Sequence, residues 1–509
     1  MPEQKFFMGV DVGTNSTKGI LIDSDLKVIS MYETSHVMKN PAPHMYEHDA
    51  EKDWWGDWCR VSKGLLSKSG ISSSQICAIG TSALGADLVP VDSEGNPLRR
   101  AILYGIDSRA EAEIDELNQR CAENGMTSQL LDTGSVAPKI LWLKKHEPQI
   151  WARTYKFLTA SSFITEKLTD KYVIDRYMSS TFYPLYNNGQ VHDGRYDWIA
   201  GSKQLCQVKE SADIAGYITP KAAIETGLSA GTPVLTGTDD SGAEAVSVGV
   251  TCPGQMMIQL GSSMYLTLGT DGINNDTCLH SEEFLVPNLY CLSGATNTFG
   301  SLTKWCLDNL YPDYLEKFAD PYARMEEEGA KVKAGSDGLI TLPYFAGERT
   351  PILDPNSCGV FFGMQLSHTR AHIYRSILEG CAFSIAQHLE IIQNIPDCPV
   401  KRIIAVGGGT KNELWLQIIS DVSGRAICVP KVCIGASYGD SLMAAMASGK
   451  SSIHSYSDIA SHIEIDKIYY PDQDKHKSYT VIQELFDSLY PIVKDQMHHL
   501  SKLRDIVSE

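Results

Sequence analysis

The sequence predicts an α/β protein built from two related halves, and three observations carry that prediction. Short strand-like apolar runs alternate with helical stretches along the whole chain, the pattern of strands and helices interleaved around shared sheets. Residues 6–26, FFMGVDVGTNSTKGILIDSDL, read strand, small-residue turn, strand, acidic turn, and residues 256–272, MMIQLGSSMYLTLGTDG, repeat that shape. A chain of 509 residues also suggests about two to five domains by length alone. Chance resemblance between two hairpins is the plain alternative. The spacing is far too long for a solenoid.

Taken in order, Phe6–Val12 and Gly19–Ile22 are the arms of the first hairpin. A helix follows over 51–67, then strands over 76–81 and 86–91, then helices over 108–124, 135–146 and 160–168. The run 233–236 is a strand entering an acidic turn. GVTCPG at 249–254 supplies turn residues before the second hairpin, 256–260 and 265–268. The expected division is therefore 1–249 and 250–509. Further strands are expected at 338–342 and 402–406, and helices at 370–395, 413–422 and 438–447. The last helix runs over about 478–500. Ile482, Leu485, Phe486, Leu489, Val493 and Met497 recur every three or four residues, giving one apolar face. That face could pack back on the N-terminal half.

Composition excludes several classes. There are 44 Lys and Arg against 62 Asp and Glu, a net charge of −18. A nucleic-acid or anionic-membrane surface needs clustered positive charge instead. Hydrophobic content of 43% and charged content of 21% are those of an ordinary globular protein. No run approaches the roughly 18 apolar residues of a membrane span, and the N-terminus lacks a signal-peptide pattern. The 13 Cys are scattered without a C-x-x-C pair, which points to reduced thiols in a cytosol and not to a zinc site.

Several loops carry chemistry. Asp11-Val12-Gly13-Thr14-Asn15-Ser16-Thr17-Lys18 ends a strand in a carboxylate, a small polar turn and a cation. Backbone N–H groups of such a turn can cradle phosphate oxygens, and Asp11 is a hard oxygen donor suited to Mg²⁺. An ordinary hairpin turn with a surface Lys reads equally well. No Walker loop and no G-x-G-x-x-G is present. In Gly237-Thr238-Asp239-Asp240-Ser241-Gly242, two carboxylates stand between a strand and a helix. One can cap the helix and one can act as a base, and local reasoning does not choose between them. Gly407-Gly408-Gly409-Thr410-Lys411-Asn412 joins a strand to a helix and lets a ligand lie against the backbone. His368, beside Thr369 and Arg370, reads as a helix-start residue held by its neighbours.

Together these segments resemble the FGGY carbohydrate kinases. GVFFGMQLSHTRAHIYRSILEGCAF resembles that family's C-terminal signature, DVGTNSTKG its first phosphate loop, GTDDSGAEA its catalytic-aspartate segment and QLGSSMY its second phosphate loop. GGGTKNELWLQIISDVSGR resembles the adenosine-binding stretch, GASYGDSLMAAMASG the small-residue helix near the end, and WWGDW an early aromatic segment. The resemblance covers about residues 6 to 450. It implies two ribonuclease-H-like domains of the actin/Hsp70/sugar-kinase type flanking a central cleft, and transfer of the γ-phosphate of ATP to a sugar hydroxyl. By register it assigns Asp240 as the base and as a Mg²⁺ ligand with Asp11. It places Thr14, Lys18, Gly261, Ser262, Gly300, Lys304, Gly408 and Asn412 at the nucleotide, and Trp54, Asp87, Asp107 and Asp240 at the sugar. Lys304 departs from the Gln of glycerol kinases. The partners implied are ATP, Mg²⁺ and a small sugar, with a homodimer allowed for.

A non-kinase ATPase of the actin/Hsp70 class is the rival, and the sugar-side segments weigh against it. So is a regulatory protein that has lost catalysis, although no loop is broken. LPYFAGERTP and AILYGIDSRA look more like xylulokinases than glycerol kinases, so a ketopentose such as xylulose is expected. Ribulose, a hexulose, a tetrose sugar, glycerol and gluconate are the alternatives. Against xylulose stands Ala83-Leu84-Gly85-Ala86-Asp87, where xylulokinases typically carry Gly-Gln-Met-His-Gly. The lost volume leaves the pocket either wider or filled from elsewhere. Asp87 is either a new hydroxyl acceptor or a turn residue.

Overall fold

The first hairpin closes where its apolar runs stop. In the computed structural model, which describes residues 4–123, 130–274 and 277–508, Phe6–Val12 (β1) and Ser16–Asp23 (β2) pair antiparallel with Asp11 opposite Lys18. The Gly13 N–H donates to the Ser16 carbonyl at 2.9 Å across the turn. Val28–Ser35 (β3) adds antiparallel to β2, and Ile76–Ala83 (β4) adds parallel to β1 with Ser82 beside Asp11. Ile214–Tyr217 (β5), Pro233–Leu235 (β6) and Thr238–Asp239 (β7) complete a seven-stranded mixed sheet, ordered β5-β6-β4-β1-β2-β3 with β7 also on β4. β1 and β4 are covered on both faces, so they read as nearly continuous apolar runs in the sequence.

The chain divides into two compact units, discontinuous in sequence. One holds Met1–Thr251, Glu283–Asn288 and Ile434–His462; the other holds Cys252–Glu282, Leu289–Cys433 and Ile463–Glu509. The sequence reading has a single boundary near residue 250. The return of Ile434–His462 follows from backbone contact. Helix Ala436–Ser448 lies so close to β1 and β4 that a Cβ on Gly9 would sit 1.9 Å from the Ser437 carbonyl oxygen, and one on Gly80 2.3 Å from that of Asp440. Only glycine on the strands permits this approach. The helix, rich in Ala, Ser and Gly, is small enough on its own side to use it.

The second unit repeats the plan. Gln255–Leu260 (β8) and Met264–Thr270 (β9) form the second hairpin, with Leu260 opposite Met264. His280–Glu283 (β10), Tyr290–Thr296 (β11), Arg402–Val406 (β12), Ile427–Pro430 (β13) and Ile465–Tyr469 (β14) join them in the order β10-β11-β9-β8-β12-β13-β14. β11 is antiparallel to β9 and β12 is parallel to β8. The run β3-β2-β1-β4 is therefore matched by β11-β9-β8-β12, and the echo in sequence is an echo in topology. The expected helix over 108–124 is found as Glu111–Glu123, and Asn124 lies outside the described residues.

The final helix, Gln473–Ser508, is longer than expected. Its Tyr479, Phe486, Leu489 and Met497 are buried in the core of the second unit, where the sequence reading had this helix packing back on the N-terminal half. The Tyr479 hydroxyl donates to Glu379 at 2.7 Å and accepts from Arg375 at 3.1 Å, tying the helix to Arg370–Gln393. Leu485, expected on the apolar face, is 45% exposed. Among the described residues no helix is long and apolar enough to cross a membrane.

The glycine contact gives a stability prediction. Gly9→Ala drives a methyl group into the Ser437 carbonyl, and overpacking of this kind costs about 1–3 kcal/mol. The urea midpoint of the first unit's transition is expected to fall; an unchanged midpoint contradicts the packing described.

Candidate active site

Strand register brings the acidic residues of the first unit together. Asp11 lies one residue from the end of β1, beside Ser82 on β4, and Ser82 in turn is beside Thr238 on β7. The chain then enters helix Asp240–Ser247, so Asp239, Asp240 and Glu244 follow within one and a half turns. The structure divides the two adjacent aspartates. Asp239 caps the helix, accepting from the Gly242 N–H at 2.8 Å and the Ser241 hydroxyl at 2.6 Å. Asp240 is the first helical residue, half-buried, and has no part in that cap. Helix Ala436–Ser448 adds Asp440, which accepts from the Ser82 N–H at 2.9 Å and the Ser82 hydroxyl at 2.7 Å.

This cluster holds its protons tightly. Burial pushes Asp11 up to about 6 and Glu244 up to about 7. Asp240 is pushed well above the carboxylate range, first by burial and then by repulsion from Asp11, Asp239 and Glu244. Lys18 pulls Asp11 and Glu244 the other way. Removing carboxylates from water and setting them side by side disfavours their charged forms. The arrangement therefore favours either bound protons or a bound cation.

The turn between β1 and β2 is braced from below. The Thr14 hydroxyl and the Tyr104 hydroxyl are 3.0 Å apart. The two ring nitrogens of His36 lie 3.0 Å from the Gly13 carbonyl oxygen and 2.8 Å from the Asp57 carboxylate. Neither Tyr104 nor His36 was singled out from sequence. Lys18 is half-exposed and faces Glu33 at 3.8 Å.

The residues expected at the sugar are mostly engaged elsewhere. Trp54 is fully buried and donates its indole N–H to His48 at 3.0 Å. Asp107 Oδ2 accepts from the Tyr46 N–H at 2.6 Å and from Arg109 Nη2 at 2.8 Å, so the carboxylate grips the Arg109 guanidinium. Asp87 is fully buried and accepts from the Ala160 N–H at 2.9 Å, at the start of helix Ala160–Thr169. Burial pushes Asp87 up to about 7. The space opened by Gly85 is filled from elsewhere: a Cβ there would meet Met178 Cε at 2.7 Å and Asp239 Cβ at 3.1 Å.

In the second unit, the β8–β9 turn seats the start of a helix. The N–H groups of Phe299, Gly300 and Ser301 donate to the carbonyls of Ser262, Gly261 and Ser262 at 2.8, 2.9 and 3.0 Å. A Cβ on Gly300 would lie 2.5 Å from the Gly261 carbonyl oxygen, so Gly300 is required by this seating. Ser262 is exposed at the turn. Lys304 is exposed and pairs with Asp308 along its own helix at 2.8 Å. Asn412 caps helix Glu413–Ser423 through the Trp415 N–H and donates to the Tyr374 hydroxyl, each at 2.8 Å.

The three glycines before Asn412 have different duties. Gly407 has φ 88°, and a Cβ on Gly409 would strike Leu260 Cβ at 2.7 Å. Both are needed by the fold. Gly408 is exposed, and a side chain there would meet nothing within 4 Å. Its lack of a side chain leaves open space above the loop.

Comparison with known proteins covers both halves of the chain, with the family's C-terminal domain running on through residues 434–448 of the first unit. Residues 6–247 match the N-terminal domain, and residues 261–448 the C-terminal domain, of the FGGY family of carbohydrate kinases. The chain is 26% identical over 499 residues to the xylulose kinase of Staphylococcus xylosus, covering 95% of this chain and 99% of that protein. It is 25% identical over 511 residues to the gluconokinase of Bacillus subtilis strain 168, covering 96% of each. The crystal structure of xylulose kinase from Rhodospirillum rubrum superposes with a TM-score of 0.87 at 27% identity, covering 97% of this chain and 100% of that one.

Two outcomes are expected. Glu244 is held at about 7 in the fold against 4.5 unfolded, so the folded state binds its proton more tightly and stability falls as pH rises through that window. Glu244→Gln removes this loss. The variant should be more stable than the parent at pH 8 in Mg²⁺-free buffer, and the gap should close as pH falls to about 4.5. A gap independent of pH contradicts the assignment. Gly408→Val should leave the unfolding midpoint nearly unchanged, because the added Cβ meets only open space, and should weaken ADP binding in a calorimetric titration. Unchanged affinity in the folded variant contradicts a ligand lying against Gly408.

Proposed function

The chain belongs to the FGGY family of carbohydrate kinases and is a sugar kinase, and from that premise we propose that it transfers the γ-phosphate of ATP to a hydroxyl of a ketopentose, with xylulose first. The observation that supports the site assignment is the division of the two aspartates. Asp239 is committed to the helix cap, while Asp240 is half-buried, at the helix start and beside Asp11. Asp240 is the base: it accepts the proton of the sugar hydroxyl as that oxygen attacks the γ-phosphorus in line. Burial and the neighbouring carboxylates raise its proton affinity, the direction that makes a carboxylate a stronger base.

The residues present fit Mg²⁺. Among the described residues no three His, Cys, Asp or Glu side chains form a metal cage. Mg²⁺ ordinarily takes one or two carboxylates together with phosphate oxygens and water. Asp11 and Asp240 are two hard carboxylates in a region short of positive charge, and they would hold the ion. When bound, it supplies positive charge to the phosphate oxygens.

The remaining work falls to the protein. In the first unit, the turn after Gly13, whose own N–H is spent on the Ser16 carbonyl, brings the Thr14 hydroxyl to phosphate, held in place by His36 and Tyr104, with Lys18 adding charge. In the second, the Gly261 N–H is spent on the Ser263 carbonyl and the turn offers the exposed Ser262 hydroxyl, and Gly408 leaves room for the nucleoside. Catalysis here is positioning plus electrostatics. Asp107 acts on the sugar side by fixing Arg109, and Trp54 by packing. Asp87 holds the start of helix Ala160–Thr169. Met178 occupies the space beside Gly85 and takes up the volume a side chain there would fill.

The ketopentose assignment rests on relatives named xylulose kinase. Gluconate is the second reading, because a gluconokinase matches almost as well.

Asp240→Asn should lower kcat by about 10²-fold or more and leave ADP affinity nearly unchanged. A variant keeping over about a tenth of the parent kcat overturns the base assignment. ADP release measured with xylulose, ribulose, a hexulose, glycerol and gluconate tests the substrate. Turnover of gluconate or a polyol with both pentuloses inert removes the ketopentose assignment.

A further inference from the structure

The carboxylate of Asp440 has no place in the chemistry derived so far. It is fully buried on helix Ala436–Ser448. Its Oδ2 takes the backbone N–H of Ser82 at 2.9 Å and the Ser82 hydroxyl at 2.7 Å. Its Oδ1 is buried without a hydrogen-bond partner. A buried, half-satisfied carboxylate is costly to a fold. Helix packing does not require it, since the neighbours Ala436, Ser441 and Ala444 are equally buried and small.

Geometry gives it a use. The Ser82 hydroxyl has one proton for two carboxylate oxygens, Asp440 Oδ2 at 2.7 Å and Asp11 Oδ1 at 3.2 Å, so they share it in a three-centre hydrogen bond that Asp440 anchors. Ser82 and Asp11 are register partners on parallel strands, so their backbones are fixed relative to each other. What remains variable is the Ser82 rotamer, and Asp440 sets it. The glycine contacts at Gly9 and Gly80 fix the helix that carries Asp440. A chain of Asp440, Ser82 and Asp11 therefore runs from a rigid helix to the carboxylate that faces the cluster.

We propose that Asp440 is a positioning residue: through the N–H and hydroxyl of Ser82 it orients the Asp11 carboxylate for the divalent cation that accompanies the nucleotide. This rests on the kinase reading for Asp11, and it adds a residue to which that reading gives no role. Supporting groups around a metal-binding side chain typically contribute 10–100-fold to metal affinity.

The test is Mn²⁺ binding to the full-length protein saturated with ADP, followed by loss of the free-ion paramagnetic resonance signal. Asp440→Ala and Ser82→Ala are compared with the parent, each checked for an unchanged fold by circular dichroism. Both should weaken Mn²⁺ by about tenfold or more and raise the Mg²⁺ concentration needed for half-maximal turnover. Asp440→Asn keeps an oxygen that can accept from Ser82, so it should recover most of the affinity lost in Asp440→Ala. Mn²⁺ affinity within about twofold of the parent in either alanine variant overturns the proposal. So does an asparagine variant no better than alanine, or a parent protein that binds no Mn²⁺. Sugar-dependent ADP release by the parent is scored separately. Its absence alongside normal Mn²⁺ binding counts against the transfer reaction, while the variant series still decides the role of Asp440.

Discussion

The structure of the first unit turns on carboxylates crowded in a poorly hydrated place. Asp11, Asp239, Asp240, Glu244 and Asp440 are drawn together by strand register and by a helix pressed against two glycines. Repulsion among them works against the fold, and desolvation makes it worse. Other features follow from containing it. Asp239 turns its charge into a helix cap, Asp440 is held by Ser82, and Lys18 lies opposite Asp11 across the hairpin. The compensation is partial: Asp11 and Asp240 still sit among like charges, and Asp240 keeps a strongly raised proton affinity. A site left short of positive charge is one that gains by binding a cation together with phosphate.

The second unit uses the same strand plan without that charge. Its turn at Gly261–Ser263 gives carbonyls to the start of a helix, where the first unit's turn at Gly13–Ser16 is braced by His36. At the strand-to-helix loop, two glycines serve the backbone and the third, Gly408, faces open space. One topology thus carries a cluster of carboxylates in one half and an open glycine loop in the other, and the difference lies in a few residues at strand ends.

Much of this could be read from the sequence. The two hairpins, the central strands and the main helices follow from apolar runs of the right length and from glycine-rich turns. β3 escaped notice because VISMYETS has one face exposed at the sheet edge. β11 escaped because YCLSGAT is interrupted by Ser293 and Gly294. The discontinuous division of the chain was hidden, since Ile434–His462 joins the first unit through backbone contacts that leave no local pattern. The site was half visible. Asp11, the aspartate pair and the glycine loop were found from strand ends and turn chemistry. Asp440, Tyr104 and His36 were not, because each acts through a partner some 20 to 360 residues away in sequence. Asp107 and Trp54 sit in the expected segments, yet their polar atoms are taken by Arg109 and His48.

The account depends most on where the phosphate goes. Phosphorus NMR of the purified protein with ATP, Mg²⁺ and xylulose follows that directly. The expected result is a phosphomonoester resonance of the sugar, growing in step with ADP and absent in Asp240→Asn. Inorganic phosphate appearing in step with ADP, with no sugar ester from any ketose, polyol or gluconate tried, contradicts phosphoryl transfer to a sugar.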